Sequence, residues 1–350
     1  MKKILALVLA MSMIMILASC GGSKPAAPAA PAASGAAPAA SAAAPAADTI
    51  VLKGACTLAA DHPYGLALTH LSELLKERTN GRIQLDVYAA GQLGGETEYV
   101  EMLQMNTLDF AVIATAPLAN FIDTMSVFDL PFLFKDTEHV YAVQDSEIGE
   151  GLLNELQNIN VRGMEFMECG FMELGCTTPL HTPADMKGLN VRIMENVIYQ
   201  DFFTLMGANP ITMSMTEVFT SLQNGTIDTI TNPVVTIYTS KLHTEAKHIS
   251  MTDCIYIPAI LLMSQDRFNS LPADLQQIVV ECCEETKQYE RGLFVELEKE
   301  CADAIVAEGG EFIEVDDSVW RDQAVIDAVY NKFVGDVIPA DVVEKIQAMA

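Results

Sequence analysis

Residues 49–88 read TIVLKGACTLAADHPYGLALTHLSELLKERTNGRIQLDVY, and the order of patterns within them decides the fold. Thr49 to Ala59 is a strand-forming apolar run, Ala67 to Glu77 an amphipathic helix ended by Thr79-Asn80-Gly81, and Arg82 to Tyr88 a strand that turns Ile83, Leu85 and Val87 to one side. A helix over Glu96 to Met105 and an apolar strand over Phe110 to Ala114 continue the alternation. Strand, helix, strand, helix, strand predicts a sheet covered by helices.

The pattern returns in the middle of the chain. Val191 to Met194 reads as a strand, Tyr199 to Leu205 and Thr216 to Gln223 as helices, and Gly225 stops the second before an extended return over Ile227 to Thr231. A second α/β lobe is expected. Ala259 to Ser264 adds one more strand, and Ala273 to Val306 holds helical periodicity longer than an ordinary globular helix, as a helix bridging both lobes would. Val319 to Met349 reads as helical and partly amphipathic.

The N-terminus is of a different kind. Lys2 and Lys3 precede an apolar run from Ile4 to Leu17, and Leu17-Ala18-Ser19-Cys20 follows, the pattern of a signal peptide over residues 1–19 with Cys20 as the lipid-bearing first residue. The run is short for a bilayer crossing, and two acyl chains on Cys20 would give stable attachment. From Gly21 to Ala47 proline interrupts every alanine run, so residues 20–47 form a semi-extended tether.

The 350 residues carry 20 Lys and Arg against 47 Asp and Glu, a formal charge of −27, with 50% hydrophobic content. That acidity excludes a general nucleic-acid binder, which needs clustered cations, and the hydrophobicity excludes wholesale disorder. Beyond Cys20 there are seven cysteines, an odd number without zinc spacing, read mostly as small buried apolar residues.

Enzyme signatures are missing: no nucleophile elbow, P-loop, zincin helix or dinucleotide fingerprint is present. Gly91-Gln92-Leu93-Gly94-Gly95-Glu96 is either a tight turn or an anion cradle before a helix, the turn being the simpler account. His243 and His248, five apart, share no helical face for a metal. In a chain poor in cations, Arg192 sits inside the strand Leu189-Asn190-Val191-Arg192-Ile193-Met194, where it either faces solvent or is buried with a partner; a carboxylate is its best geometric match.

An ordered series of motifs resembles the extracytoplasmic solute receptors of tripartite ATP-independent (TRAP) transporters, the dicarboxylate-binding type. It comprises His62-Pro63, Thr79-Asn80-Gly81-Arg82-Ile83, the glycine segment ending at Glu96, Leu130-Pro131-Phe132-Leu133-Phe134 and Asp185-Met186-Lys187-Gly188-Leu189. Val191-Arg192-Ile193, Gly207-Ala208-Asn209-Pro210, Glu217, Leu222-Gln223-Asn224-Gly225, Asn232-Pro233 and Leu271-Pro272 complete it.

The resemblance implies a two-lobed periplasmic-binding-protein-like α/β fold with a hinge and a long helix across both lobes. Its expected limits are residues 48–169 with 258–297 for the first lobe and 170–257 with 298–350 for the second. It further implies that Arg192 forms a bidentate salt bridge with a ligand carboxylate, that Asn232 adds a hydrogen bond, and that His62 to Tyr64, Glu96 and Met213-Ser214-Met215 line the cleft. Met172 stands where many members have a carboxylate-facing arginine, Met215 where some have an aromatic ring, and Thr229 where the strand often ends in glycine. These departures weigh against sialic acid or a simple dicarboxylate and favour a monocarboxylate with an apolar or cationic remainder.

The resulting expectation is a lipid-anchored extracytoplasmic receptor that hands an organic acid to small and large integral membrane permease subunits, with no cofactor and no resident metal. Two other readings stay open: a ligand-sensing module for a membrane signalling partner, and an extracellular enzyme on a carboxylated substrate.

Overall fold

The computed structural model describes residues 49–350. The signal peptide, Cys20 and the tether lie outside the described residues.

Two sheets organise the chain. β1 (Ile50–Cys56), β2 (Ile83–Tyr88) and β3 (Phe110–Ala114) are parallel neighbours in the order β2-β1-β3. Between them run α1 (Pro63–Arg78) and α2 (Glu96–Gln104), followed by the short α3 (Thr115–Leu118), α4 (Thr137–Gln144) and α5 (Glu147–Glu155). β4 (Val161–Phe171) is the edge strand of this sheet, and β5 (Glu173–Cys176), one residue later, belongs to the other.

The second sheet gathers β6 (Asn190–Ile193), β7 (Asn209–Thr212), β8 (Thr229–Asn232) and β9 (His248–Met251) around β5, with α6 (Val197–Leu205), α7 (Met215–Gln223) and α8 (Val234–Thr239) in the connections. β10 (Tyr256–Ser264) then returns to the first sheet, antiparallel between β3 and β4. After α9 (Gln265–Ser270), α10 runs 35 residues from Ala273 to Ala307. It packs on α1 and β4 of the first lobe and on α8 and β11 (Glu311–Glu314) of the second. The bridging helix read from periodicity is therefore present.

α11 (Asp317–Trp320), α12 (Gln323–Phe333) and α13 (Ala340–Gln347) replace the single helical stretch expected over Val319 to Met349. The break has a local cause: Gly335 adopts φ +91, Val334 bridges Ile338, and Pro339 starts the next helix. α12 packs on α6 of the second lobe. By contrast, the end of α13 meets the first lobe, where His139 Nε2 bonds the Ile346 carbonyl at 2.8 Å.

Two of the chain's passages between the sheets lie side by side, at Met172 and at residues 252–255. Met172 donates its N–H to the Ile255 carbonyl at 2.8 Å, and its own carbonyl accepts from Thr252 Oγ1 at 3.0 Å. Buried Glu173 gathers the Thr252 and Asp253 amides on Oε2. Burial, with Asp253 nearby, holds its carboxyl well above the usual range. Glu173 is thus a hydrogen-bonded pin between the crossings.

All seven cysteines outside the signal and tether are buried free thiols. Burial pushes the thiols of Cys56, Cys169, Cys176 and Cys254 up to about 12, so none is a ready thiolate.

Because Glu173 acts through an accepting oxygen that glutamine also carries, Glu173→Gln should change stability little, whereas Glu173→Leu leaves buried amides unpaired and should cost about 1–3 kcal/mol. The urea midpoints of the two variants, compared at unchanged slope, check this.

Candidate functional site

The cavity between the sheets is built by strand ends. β1 and β3 deliver Thr57 and Ala114 from the first sheet, while β6 and β8 deliver Arg192 and Asn232 from the second; all four line one cavity. Tyr64, from the first turn of α1, and Glu96, the first residue of α2, close it from the first lobe; Met194 and Met215 close it from the second. An adjoining smaller cavity shares Glu96, Arg192, Met194 and Met215 and adds Pro117, Glu195, Met213 and Ser214.

Arg192 is the electrostatic centre. Its side chain is buried, and Nε and Nη2 both donate to the Met213 carbonyl, at 3.0 and 2.8 Å. Nη1 has no partner. The Arg192 carbonyl accepts from Thr231 Oγ1, and the Ile193 carbonyl accepts the Met213 N–H, so strand β6 and the segment before α7 hold each other. Burial lowers the guanidinium to about 10, with Glu96 and Glu195 opposing the shift, so it stays charged at neutral pH. Two of its nitrogens being taken by a main-chain oxygen, the edge offered to the cavity is the one that includes Nη1.

Glu96 faces Arg192 across the cavity. Its Oε1 accepts the Ala114 N–H at 3.2 Å and Thr57 Oγ1 at 3.4 Å. Burial pushes its carboxyl up to about 7, against the pull of those donors and of Arg192. Two further polar atoms are buried without partners: Tyr64 Oη and Asn232 Oδ1. A buried donor or acceptor left open in an otherwise packed wall is a place prepared for a ligand group.

The lobes meet directly around this cavity. Thr97 donates to the Glu195 carboxylate, Asn120 Nδ2 to the Glu195 carbonyl at 2.6 Å, and Asn196 Nδ2 to the Ala116 carbonyl and Asp129 Oδ2 at 3.2 and 2.7 Å. Asn196 Oδ1 meanwhile caps α6. The glycine segment has a related use: a Cβ at Gly91 would lie 2.6 Å from Thr216 Cγ2, and one at Gly95 would lie 2.8 Å from Ser214 Oγ. The segment is a turn, with Gly91 at φ +66, that lets the start of α7 approach closely.

Of the residues expected at the site, Arg192, Asn232, Glu96, Tyr64 and Met215 share one cavity, and Met213 lines the adjoining one. His62 does not line either. It lies behind the wall, its Nδ1 accepting the Tyr64 N–H at 3.1 Å while Nε2 meets Thr236 Oγ1 at 3.1 Å, so it caps α1 and supports a cavity residue. Met172 is also displaced from the expectation: it is fully buried at the crossing between sheets, because β4 ends just before it and its backbone is tied to Thr252 and Ile255. The expected bidentate geometry is altered by Met213, whose carbonyl already occupies Nε and Nη2.

The reading missed Thr57, Cys169, Met194, Glu195 and Thr236 as lining residues. Met194 had a signal, since it alternates with Arg192 along the strand. Thr57 and Thr236 had none, small hydroxyls being common everywhere. His243 and His248 each face a separate carboxylate, Glu308 at 2.9 Å and Glu311 at 2.7 Å, and no three potential ligands gather among the described residues.

The family model described as bacterial extracellular solute-binding protein, family 7, matches residues 54–335. The C4-dicarboxylate-binding periplasmic protein of Rhodobacter capsulatus is 30% identical over 71% of this chain and 74% of its own. A solved TRAP periplasmic solute binding protein of Xanthobacter autotrophicus, with bound β-D-galacturonate, superposes with a TM-score of 0.81 at 30% identity, covering 85% of this chain and 99% of that one. Another, from Polaromonas sp. JS666 and bound to D-erythronate, gives 0.82 at 30% identity over 86% and 99%.

Buried His62 is held neutral, its ring depressed to about 3. An unfolded histidine takes up a proton near pH 6.5 while this one does not, so its contribution is complete above that pH and is lost as pH falls from 6.5 toward 3. Urea unfolding between pH 7 and 4.5 should show a slope larger than that of His62→Gln by up to about 1.4 kcal/mol per pH unit.

Proposed function

Since this chain belongs to family 7 of the bacterial extracellular solute-binding proteins, whose members are receptors and not enzymes, we propose that it captures a small organic acid through Arg192 and delivers it to the two membrane subunits of a TRAP transporter. The single observation that carries the reading is the buried guanidinium that lines the cavity with its Nη1 unpartnered. A charged donor left unpaired at this depth is costly, and a ligand carboxylate relieves that cost. The acids held by the Xanthobacter and Polaromonas proteins, galacturonate and erythronate, are single carboxylates on polar frames. Among the described residues one cation, Arg192, lines the cavity, which suits one carboxylate better than two.

The ligand's carboxylate sits end-on against Arg192, with Asn232 and Tyr64 receiving its polar remainder and Met194, Met215, Ile257 and Pro233 enclosing its apolar surface. Closure of the lobes removes competing water and strengthens the ion pair. Residues 48–169 with 258–297 move as the first lobe and 170–257 as the core of the second. The two lobes turn about Met172 and residues 252–255, with the C-terminal helices strapped to both.

The location follows the same reading. The family is extracytoplasmic, and no helix among the described residues is long and apolar enough to cross a membrane. Lipid on Cys20 holds the receptor near its permease, and residues 21–47 give it reach.

Two measurements test this. Arg192→Ala should weaken acid binding by about 2–5 kcal/mol, roughly 30-fold to several thousandfold, in calorimetry, without changing the fold; unchanged affinity rejects the role. Cys20→Ala should move the protein from the membrane to the soluble fraction of cells, and continued membrane association rejects the anchor.

A further inference from the structure

The charges around the paired cavities do not balance for a plain anion. Arg192 is the one cationic side chain lining them among the described residues, while Glu96 lines both and Glu195 lines the second. The two carboxylates are close enough to act on each other and on Arg192. Glu96 commits one oxygen, Oε1, to Thr57 and Ala114; Glu195 takes a hydrogen bond from Thr97. Asn232 Oδ1, a buried acceptor with no donor, adds a third place that wants a hydrogen on the ligand.

We infer that the solute is a small zwitterionic amino acid, its carboxylate on Arg192 and its ammonium group between Glu96, Glu195 and the Asn232 side-chain oxygen. This deepens the receptor reading and rests on it. An ammonium group supplies the three hydrogens that three acceptors ask for, and one positive charge offsets the excess of carboxylate. A dianion would set its second carboxylate against Glu96 or Glu195, with no second cation to hold it. A hydroxylated monoanion can donate its hydroxyl hydrogens to these acceptors but brings no positive charge, and so leaves the excess of carboxylate unbalanced.

Binding is then linked to protons. In the empty cavity burial holds the Glu96 carboxyl up to about 7, so part of the population is protonated at neutral pH. The groups facing it are Arg192 on β6, Glu195 just after β6, Thr57 after β1 and the Ala114 amide at the end of β3. Tyr64 and Cys169 line the same cavity, both with acidities suppressed by burial, so they stay uncharged. An arriving ammonium group stabilises ionised Glu96 and expels its proton; an arriving plain anion does the opposite and draws a proton in.

The experiment is calorimetry with matched probes on the purified protein: glycine, β-alanine and γ-aminobutyrate against glycolate, 3-hydroxypropionate and 4-hydroxybutyrate, with succinate as the dianion. Each is titrated near pH 7 in two buffers of different ionisation enthalpy, with Glu96→Gln and Arg192→Ala alongside. The expected result is an amino acid binding about 10- to 100-fold tighter than its hydroxy partner, with proton release, and Glu96→Gln narrowing that preference and abolishing the release. Hydroxy acids or succinate binding as tightly as amino acids, or with proton uptake, overturn the inference while loss of that binding in Arg192→Ala leaves the receptor reading standing. No acid bound by wild type overturns both.

Discussion

A guanidinium buried in a strand is the constraint from which the site follows. Arg192 does not face solvent, because its side chain is buried against the cavity between the sheets, and it cannot discharge, because arginine holds its proton even here. The fold answers with a main-chain oxygen: the Met213 carbonyl takes two of its nitrogens, which fixes the plane of the group and the course of the chain into α7. The remaining edge needs a partner that the protein does not supply in full. Glu96 stands across the cavity, committed to an amide and a hydroxyl and held near neutrality by burial. Receptor chemistry is the consequence of that deliberate incompleteness.

Closure and recognition share residues. Two positions after Arg192 comes Met194, a cavity wall; three after comes Glu195, which lines the adjoining cavity and meets Thr97 and Asn120; four after comes Asn196, which caps α6 and reaches Ala116 and Asp129. A single turn of chain thus connects Arg192 to the contacts between lobes. Across the cavity, His62 performs the corresponding service by joining the start of α1 to Thr236.

Much of this was legible because it depends on periodicity. β3 spans Phe110 to Ala114 as read, and the long helix differs from its reading by one residue at its end. β4 escaped notice because Arg162, Glu165 and Glu168 interrupt its apolar pattern; Glu168 is in fact buried, its carboxylate accepting from Tyr256, a long-range pairing that no local window contains. The C-terminal break differs: Gly335 and Pro339 mark it in the sequence, and the apolar residues between them, Val337 and Ile338, let a helical pattern run across it. At the site, the charged residues were accessible to reasoning because burying a charge needs a reason, whereas Met172 was misplaced because an alignment position says nothing about which side of a chain crossing a side chain takes.

The seven buried thiols set a condition on how such a protein matures outside the cytoplasm. In the folded molecule they are shielded and protonated, and none has a bonded partner. In the extended chain they are ordinary thiols, open to oxidants and to one another, and a bridge between them would be one that the folded molecule does not contain. Where oxidants are present, folding therefore runs against a chemical clock: each sulfur is safe only once its lobe has condensed, and durability is set by the rate of unfolding that re-exposes them.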